Sequence, residues 1–169
     1  PAEKAAQVRR MFSSIAPRYD LLNRLLSAGI DRRWRARAIR SLELTGRETL
    51  IDVCTGTADV ALEARRGGAA RVLGIDFAGA MLALGLTKVR AAGEDGRIAL
   101  VRGDAMRLPV ADESADAATV AFGIRNVQQP EVACREMARA LRPGGRLAIL
   151  EFAVPRLPGV SRLYLWYFT

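Results

Sequence analysis

After residue 45, short apolar runs alternate regularly with longer amphipathic segments. The short runs have the length of buried strands and end in glycine or polar residues, whereas the longer segments repeat apolar residues at helical spacing. The predicted strands are 50–54, 71–75, 98–102, 117–122 and 146–150, and the predicted helices are 58–66, 78–92 and 131–141. This order predicts a parallel, doubly wound α/β sheet, whose ligands bind outside the carboxyl ends of the strands.

Length and composition place the chain among globular proteins with a single core. It has 169 residues, of which 50% are hydrophobic, and its formal net charge is +8. The positive charge makes an anionic membrane surface or a nucleic acid a partner to consider. The chain has no histidine and two cysteines, which predicts no metal site and a reducing, cytoplasmic environment. No apolar run reaches membrane-spanning length, and the first residues lack a signal peptide's apolar stretch.

The first 45 residues are predicted to be helical and to form a lid, with a ligand-binding domain over 46–169. Asp31 is predicted to cap a helix whose apolar residues, from Trp34 to Leu42, recur at helical spacing. The arginines between them would form its solvated face; they are Arg32, Arg33, Arg35, Arg37 and Arg40.

The loop after the first predicted strand reads D-V-C-T-G-T-A-D from position 52 to 59. Gly56 permits a tight turn in which backbone N–H groups approach a ligand. The loop lacks the G-x-G-x-x-G pattern that cradles a pyrophosphate, and its carboxylates, Asp52 and Asp59, would repel one. Carboxylates suit a positively charged ligand, and S-adenosylmethionine carries a sulfonium and an ammonium group. Asp52, Gly56 and Thr57 are therefore candidate cofactor-binding residues.

The ends of the next two predicted strands carry further acidic residues. Asp76 lies 20 residues after Gly56, where an acidic residue accepts hydrogen bonds from both ribose hydroxyls. Phe77 offers an apolar ring to an adenine face, while Asp104 and the Ala105 N–H suit the adenine amino group and ring nitrogen. Each acid alone would be interpreted as a helix N-cap. Three in register predict a nucleoside site.

Several segments resemble class I S-adenosylmethionine-dependent methyltransferases: 50–60, 74–81, 103–109 and 141–150. Others resemble a narrower family, the menaquinone and ubiquinone biosynthesis C-methyltransferases. These are Y-D-L-L-N at 19–23 followed by Ser27 and Trp34, A-F-G-I-R-N-V at 121–127, and R-A-L-R-P-G-G-R-L at 139–147 followed by Glu151 and Phe152. The resemblance covers nearly the whole chain and implies a Rossmann-like methyltransferase sheet with amino-terminal helices.

The resemblance implies methyl transfer from S-adenosylmethionine to a ring carbon of a polyprenyl quinol, with demethylmenaquinol the preferred substrate and a benzoquinol the alternative. Arg125 and Asn126 could hold the ring oxygens through charge-assisted hydrogen bonds, and Tyr19 could act from the lid. Ala121 joins the cofactor-binding positions. A peripheral position at the anionic inner face of the cell membrane and a homo-oligomer are compatible with the family, and no nucleic-acid partner is expected.

The chain departs from the family pattern at three side chains. Asp31 stands where histidine is usual, Ala153 where serine is usual, and Ala121 where some members have serine. Family members also continue with strands that complete the sheet, so we expect this chain to be a fragment without its carboxyl-terminal strands.

Alternative functions remain: another small-molecule methyltransferase, an RNA methyltransferase, or an inactive cofactor-binding scaffold. An enzyme that methylates adenine or cytosine nitrogen would want an N/D-P-P-Y/F segment after the fourth strand, where this chain has F-G-I-R-N. A cytosine C5 enzyme would need a cysteine there. Neither pattern is present, so the positive charge is the only feature that favours an RNA methyltransferase.

Overall fold

The structure is a computed structural model that describes residues 30–151. The predictions made for Tyr19, for the rest of the first signature before position 30, and for residues after Glu151 lie outside the described residues. They stay predictions.

Helices and strands alternate through the described chain. The helices are α1 (Ile30–Arg40), α2 (Asp59–Arg66), α3 (Gly79–Ala91) and α4 (Pro130–Ala140), with a short 3-10 helix at Ile124–Asn126. The strands are β1 (Thr49–Val53), β2 (Arg71–Asp76), β3 (Ile98–Arg102), β4 (Ala115–Ala121) and β5 (Leu141–Leu150). The sequence-based bounds of most of these elements are correct to within one or two residues.

The strands form one parallel sheet in the order β3-β2-β1-β4-β5. From β1 the chain moves outward to β2 and β3, and it then returns to the other side of β1 to form β4 and β5. Leu50 of β1 therefore pairs with Val72 of β2 on one side and with Ala117 of β4 on the other. The prediction of a doubly wound parallel sheet is confirmed. The reversal between β1 and β4 opens a crevice at the carboxyl ends of these strands, which is where such folds bind ligands.

The central strand is buried on both faces because helices cover the sheet on each side. Leu50 packs with residues of α1, α2 and α3, including Ile39. Ile51 and Val53 pack on the opposite face with residues of α4 such as Met137. This arrangement fits β1, in which the neighbouring residues Leu50 and Ile51 are both apolar and both buried.

Asp31 does not cap the arginine-rich helix, so that prediction is wrong. Asp31 lies within α1, is only 4% exposed and pairs with Arg35 at 2.8 Å. Arg35 also faces inward, whereas the other four arginines predicted for the solvated face are not buried. Positions 31, 35 and 39 are four residues apart and therefore share the face of α1 that packs on the domain.

The last described strand, β5, begins five residues earlier than the predicted strand at 146–150. Leu141 pairs with Ala115 and Arg146 pairs with Ala117, so the segment R-P-G-G at 142–145 lies as a bulge between these two pairs. Gly144 accommodates it with a left-handed φ of 81°, and proline is tolerated because β5 borders the described sheet. Within residues 30–151, no helix is both long and apolar enough to cross a membrane.

Candidate functional site

The loops after β1 and β4 meet at the crevice between these strands. A Cβ atom on Gly123 would lie 2.3 Å from the Cβ of Cys54, so the close approach of the two loops requires glycine there. Cys54 and Phe122 both have a φ of 57°, a left-handed conformation that is uncommon for residues with side chains and is often found at functional sites. The backbone conformation of these two loops therefore marks the carboxyl ends of β1 and β4 as a candidate functional site.

Asp76 ends β2 and links it to the loop after β1. One carboxylate oxygen accepts the Gly56 N–H at 2.9 Å, and the other accepts the Ala78 N–H at 2.8 Å. Burial raises the pKa of Asp76, and the hydrogen bonds from Ala78 and Gly56 oppose that rise. A carboxylate offers about four acceptor positions, so two bonds leave capacity for a pair of ribose hydroxyls. The contact of Asp76 with a nucleoside stays a prediction.

Asp52 lies beneath the loop rather than on its surface. It is 1% exposed, and its two oxygens accept the hydroxyls of Thr55 at 2.6 Å and Thr119 at 2.8 Å. Burial, with the nearby charge of Asp76 adding to it, raises the pKa of Asp52 to about 6 against the two hydroxyl hydrogen bonds. These contacts give Asp52 a supporting role in joining β1, its loop and β4. Direct contact with a cofactor stays a prediction.

Asp59 does not offer the uncompensated negative charge that the sequence suggested. It pairs with Arg35 at 3.3 Å and with Lys88 on its other side. Lys88 also donates to the hydroxyl of Thr57 at 3.0 Å. The expectation that this loop attracts a cation through Asp52 and Asp59 is therefore corrected: one carboxylate is buried under hydroxyl groups, and the other is neutralised by two basic side chains.

The ends of β2 and β3 lie together, as predicted. The Gly103 N–H donates to the Asp76 carbonyl at 3.0 Å. Asp104 is exposed and accepts the Met106 N–H at 2.9 Å, Ala105 is 9% exposed, and Phe77 is half-buried. The structure thus gathers these candidate residues at one edge of the sheet. Their contacts with a nucleoside remain predictions.

The candidate substrate-binding residues follow β4. Arg125 and Asn126 lie in the 3-10 helix, and Ala121 is the last, half-buried residue of β4. The Arg125 guanidinium lies 3.4 Å from Glu151, and 53% of its side chain is exposed. The Asn126 backbone N–H donates to the Gly123 carbonyl at 3.0 Å. Arg125 is thus exposed just beyond the carboxyl end of β4 and is paired with an acidic side chain. Its contact with a substrate stays a prediction.

Several residues of the site were not found from the sequence. Thr119 had a usable signal, because it is a polar residue within an otherwise apolar strand. Lys88 had none, since its partners Thr57 and Asp59 lie 31 and 29 residues away. The ring contact between Trp34 and Phe122, with centroids 6.4 Å apart, joins α1 to the loop after β4 and likewise had no local signature.

The sheet order, the glycine-containing loop after β1 and the acidic residues at the next two strand ends define the methyltransferase class with a doubly wound sheet. The backbone agrees with solved members: a methyltransferase from Aquifex aeolicus, described as SAM-dependent, superposes with a TM-score of 0.65 at 20% identity, over 73% of this chain and 66% of that one. At this identity the likeness establishes the fold alone.

The chain belongs to the ubiE/COQ5 methyltransferase family, whose sequence model matches residues 2–169. The "Ubiquinone/menaquinone biosynthesis C-methyltransferase UbiE" of Geobacter sp. (strain M21) is 48% identical over 99% of this chain and 72% of its own length. The "Demethylmenaquinone methyltransferase" of Thermus thermophilus is 46% identical over 94% of this chain and 71% of its own. The family predicted from the sequence signatures is confirmed.

Proposed function

We propose that this protein binds S-adenosylmethionine and transfers its methyl group to a ring carbon of a polyprenyl quinol, with demethylmenaquinol as the preferred acceptor. The observation that carries the proposal is the carboxylate of Asp76, which bridges the loops after β1 and β2. Its remaining acceptor capacity fits a ribose diol. The relatives' names give the acceptor class, since they refer to quinone biosynthesis.

The residues present fit this cofactor in two respects. Asp76 would hold the ribose, with Phe77 and Asp104 on the adenine side, and Gly56 with Thr57 would form the loop against the remaining part. When bound, the cofactor supplies an electrophilic methyl group. The protein's task is then alignment of that group with the acceptor carbon, because a displacement at a methyl group depends mainly on orientation.

The acceptor carbon becomes more nucleophilic when a ring hydroxyl ionises, so the site needs a group that stabilises a phenolate. Arg125 is suited to this task because a guanidinium keeps its charge and presents parallel N–H donors. Its partner Glu151 restricts its orientation at 3.4 Å. Arg125 and Asn126 would hold the ring oxygens. Tyr19, in the predicted lid, stays a candidate catalytic residue.

We further propose that the protein works peripherally at the anionic inner face of the cell membrane, where a polyprenyl quinol resides. The outer side of α1 supports this. Arg33 and Arg37 are exposed there, next to Ile30 and Trp34, which are 44% and 37% exposed. Arginine flanking exposed apolar and aromatic residues suits the boundary between headgroups and acyl chains.

The experiment that tests the proposed function is the quinone content of a strain lacking the gene. We expect loss of the methylated quinone and accumulation of its demethylated precursor, identified by mass, and recovery when the gene is returned. An Asp76→Ala gene serves as the matched control and should not restore the methylated quinone. An unchanged quinone profile in the deletion strain would refute the proposal.

A further inference from the structure

Four charged side chains form a continuous series of ion pairs between α1 and the loop after β1. Arg35 Nη2 lies 2.8 Å from Asp31 and 3.3 Å from Asp59, and Lys88 contacts Asp59 from the opposite side. Two acids alternate with two bases, so the series carries no net charge. We call it the α1–loop network.

The network is well shielded from solvent at its α1 end and partly shielded at its other end. The exposed fractions of its side chains rise from 6% and 12% at Asp31 and Arg35 to 27% and 28% at Asp59 and Lys88. Ion pairs with so little exposure are weakly screened by salt. Removal of one member leaves an uncompensated, poorly hydrated charge, so the remaining members must shift.

The network ends at the loop proposed to hold the cofactor. Lys88 donates to the hydroxyl of Thr57 at 3.0 Å, and Asp59 is the first residue of α2, directly after that loop. Gly85 lies on α3 near Lys88, and a Cβ atom added to it would lie 3.2 Å from the carbonyl carbon of Thr57. Helix α3 therefore lies directly against the loop, and Lys88 fixes Thr57 and Asp59 together.

We propose that the α1–loop network sets the conformation of the loop for cofactor binding, with Lys88 and Arg35 as positioning residues, and that α1 thereby contributes to affinity for S-adenosylmethionine. The inference rests on the proposed function in taking the loop after β1 as part of the cofactor site. Coupling between two parts of a protein is reciprocal. Cofactor binding must therefore also stabilise α1.

The test measures binding of S-adenosylhomocysteine to the full chain by calorimetry. Lys88→Met should weaken binding about tenfold and Asp31→Asn, which acts at the far end of the network, about threefold. Lys88→Arg, which retains a cation beside Asp59, should recover most of the loss. Arg90→Met is the matched control, because Arg90 is an exposed residue of the same helix, and it should bind as wild type does.

Two further measurements distinguish a network that positions the loop for cofactor binding from one that only stabilises the fold. Amide hydrogen exchange in Ile30–Arg40 should slow when S-adenosylhomocysteine is added to wild type, and this response should be lost in Lys88→Met. In the methyl-transfer assay, Lys88→Met should raise KM for S-adenosylmethionine and leave kcat nearly unchanged.

A lower melting temperature with wild-type affinity in Lys88→Met and Asp31→Asn would overturn the inference. If Lys88→Met does not fold, Asp31→Asn and Lys88→Arg still decide it. Wild type that binds S-adenosylhomocysteine but methylates no quinol would refute the proposed reaction and leave this inference intact. Absence of binding by wild type would refute both.

Discussion

Among single residues, Asp76 offers the most sensitive test of the cofactor site. Asp76→Ala should weaken binding of S-adenosylmethionine about ten- to 150-fold. The variant loses the carboxylate oxygens that would accept hydrogen bonds from the two ribose hydroxyls, and it also loses the bridge between the two loops. Calorimetry on wild type and variant measures the change. Equal affinity would remove this carboxylate from the cofactor site.

Asp52 predicts a pH dependence of stability. Its pKa is raised from 3.8 to about 6 in the folded protein, so the folded state holds its proton more tightly than the unfolded state does. Stability from this group is complete below pH 3.8 and is lost as pH rises through 6. In Asp52→Asn, which retains hydrogen-bonding atoms for both threonines, this decline should be absent, a difference of roughly a few degrees in Tm. Parallel Tm profiles of wild type and variant across this range would contradict the assignment.

At the scale of elements, the turn before β1 depends on one carboxylate. Glu48 accepts the Thr45 hydroxyl at 2.6 Å and the N–H groups of Thr45, Gly46 and Arg47 at 2.9, 3.0 and 3.1 Å. The Thr45 hydroxyl makes the largest contribution to lowering the pKa of Glu48 to about 2.

Glu48→Gln should therefore reduce the free energy of unfolding at neutral pH by about 1 kcal/mol. The stabilisation exists above pH 4.5 and is lost as pH falls through 2, so urea denaturation curves of the two proteins should converge in acid. A difference that persists unchanged in acid would exclude the carboxylate as its source.

The elements themselves were largely predictable from sequence because helical spacing and short apolar runs reflect burial on the sheet. Boundaries that depend on tertiary context were not. The start of β5 at Leu141 is set by pairing with β4, and the segment after it has the local chemistry of a turn. Asp31 has the residue type of a cap, but packing of α1 against the domain turns it inward, where Arg35 is its partner.

The candidate site was predictable to the same degree. Strand order brings Asp52, Asp76 and Asp104 to one edge, and that follows from alternation of elements alone. Which carboxylate remains accessible depends on distant partners: Thr119 lies 67 residues from Asp52, and no local pattern reveals that contact. The sequence therefore predicted which strand ends lie together. It interpreted Asp52 and Asp59 as suited to a positively charged ligand, whereas in the structure both are engaged within the protein.

At the scale of the whole molecule, the proposed membrane surface predicts salt-sensitive binding to vesicles. Wild type should bind anionic vesicles, should bind neutral ones weakly, and should dissociate as salt shortens the Debye length toward about 8 Å. Arg33→Glu with Arg37→Glu should abolish binding. Arg90→Glu with Arg97→Glu changes the net charge equally at exposed positions elsewhere and should retain most of it.

Equal loss in both double variants would mean that net charge, rather than the surface of α1, governs binding. Tight binding to RNA with methyl incorporation into it would instead support the RNA methyltransferase alternative.

The proposed reaction is methylation of a reduced quinone ring in the crevice between β1 and β4. It is tested most directly by transfer of a labelled methyl group from S-adenosylmethionine to a short-tailed demethylated naphthohydroquinone under reducing conditions. The hydroquinone should be methylated, and the oxidised quinone should not, because it lacks a hydroxyl to ionise. Arg125→Ala should keep the cofactor affinity and lower the rate of methyl transfer about thirty- to a thousandfold. Arg125→Lys should recover part of the lost rate. Arg135→Ala is the control, because Arg135 is an exposed residue of α4, and it should match wild type. No methyl transfer to the hydroquinone at saturating cofactor, or equal transfer to both redox forms, would refute the proposed reaction.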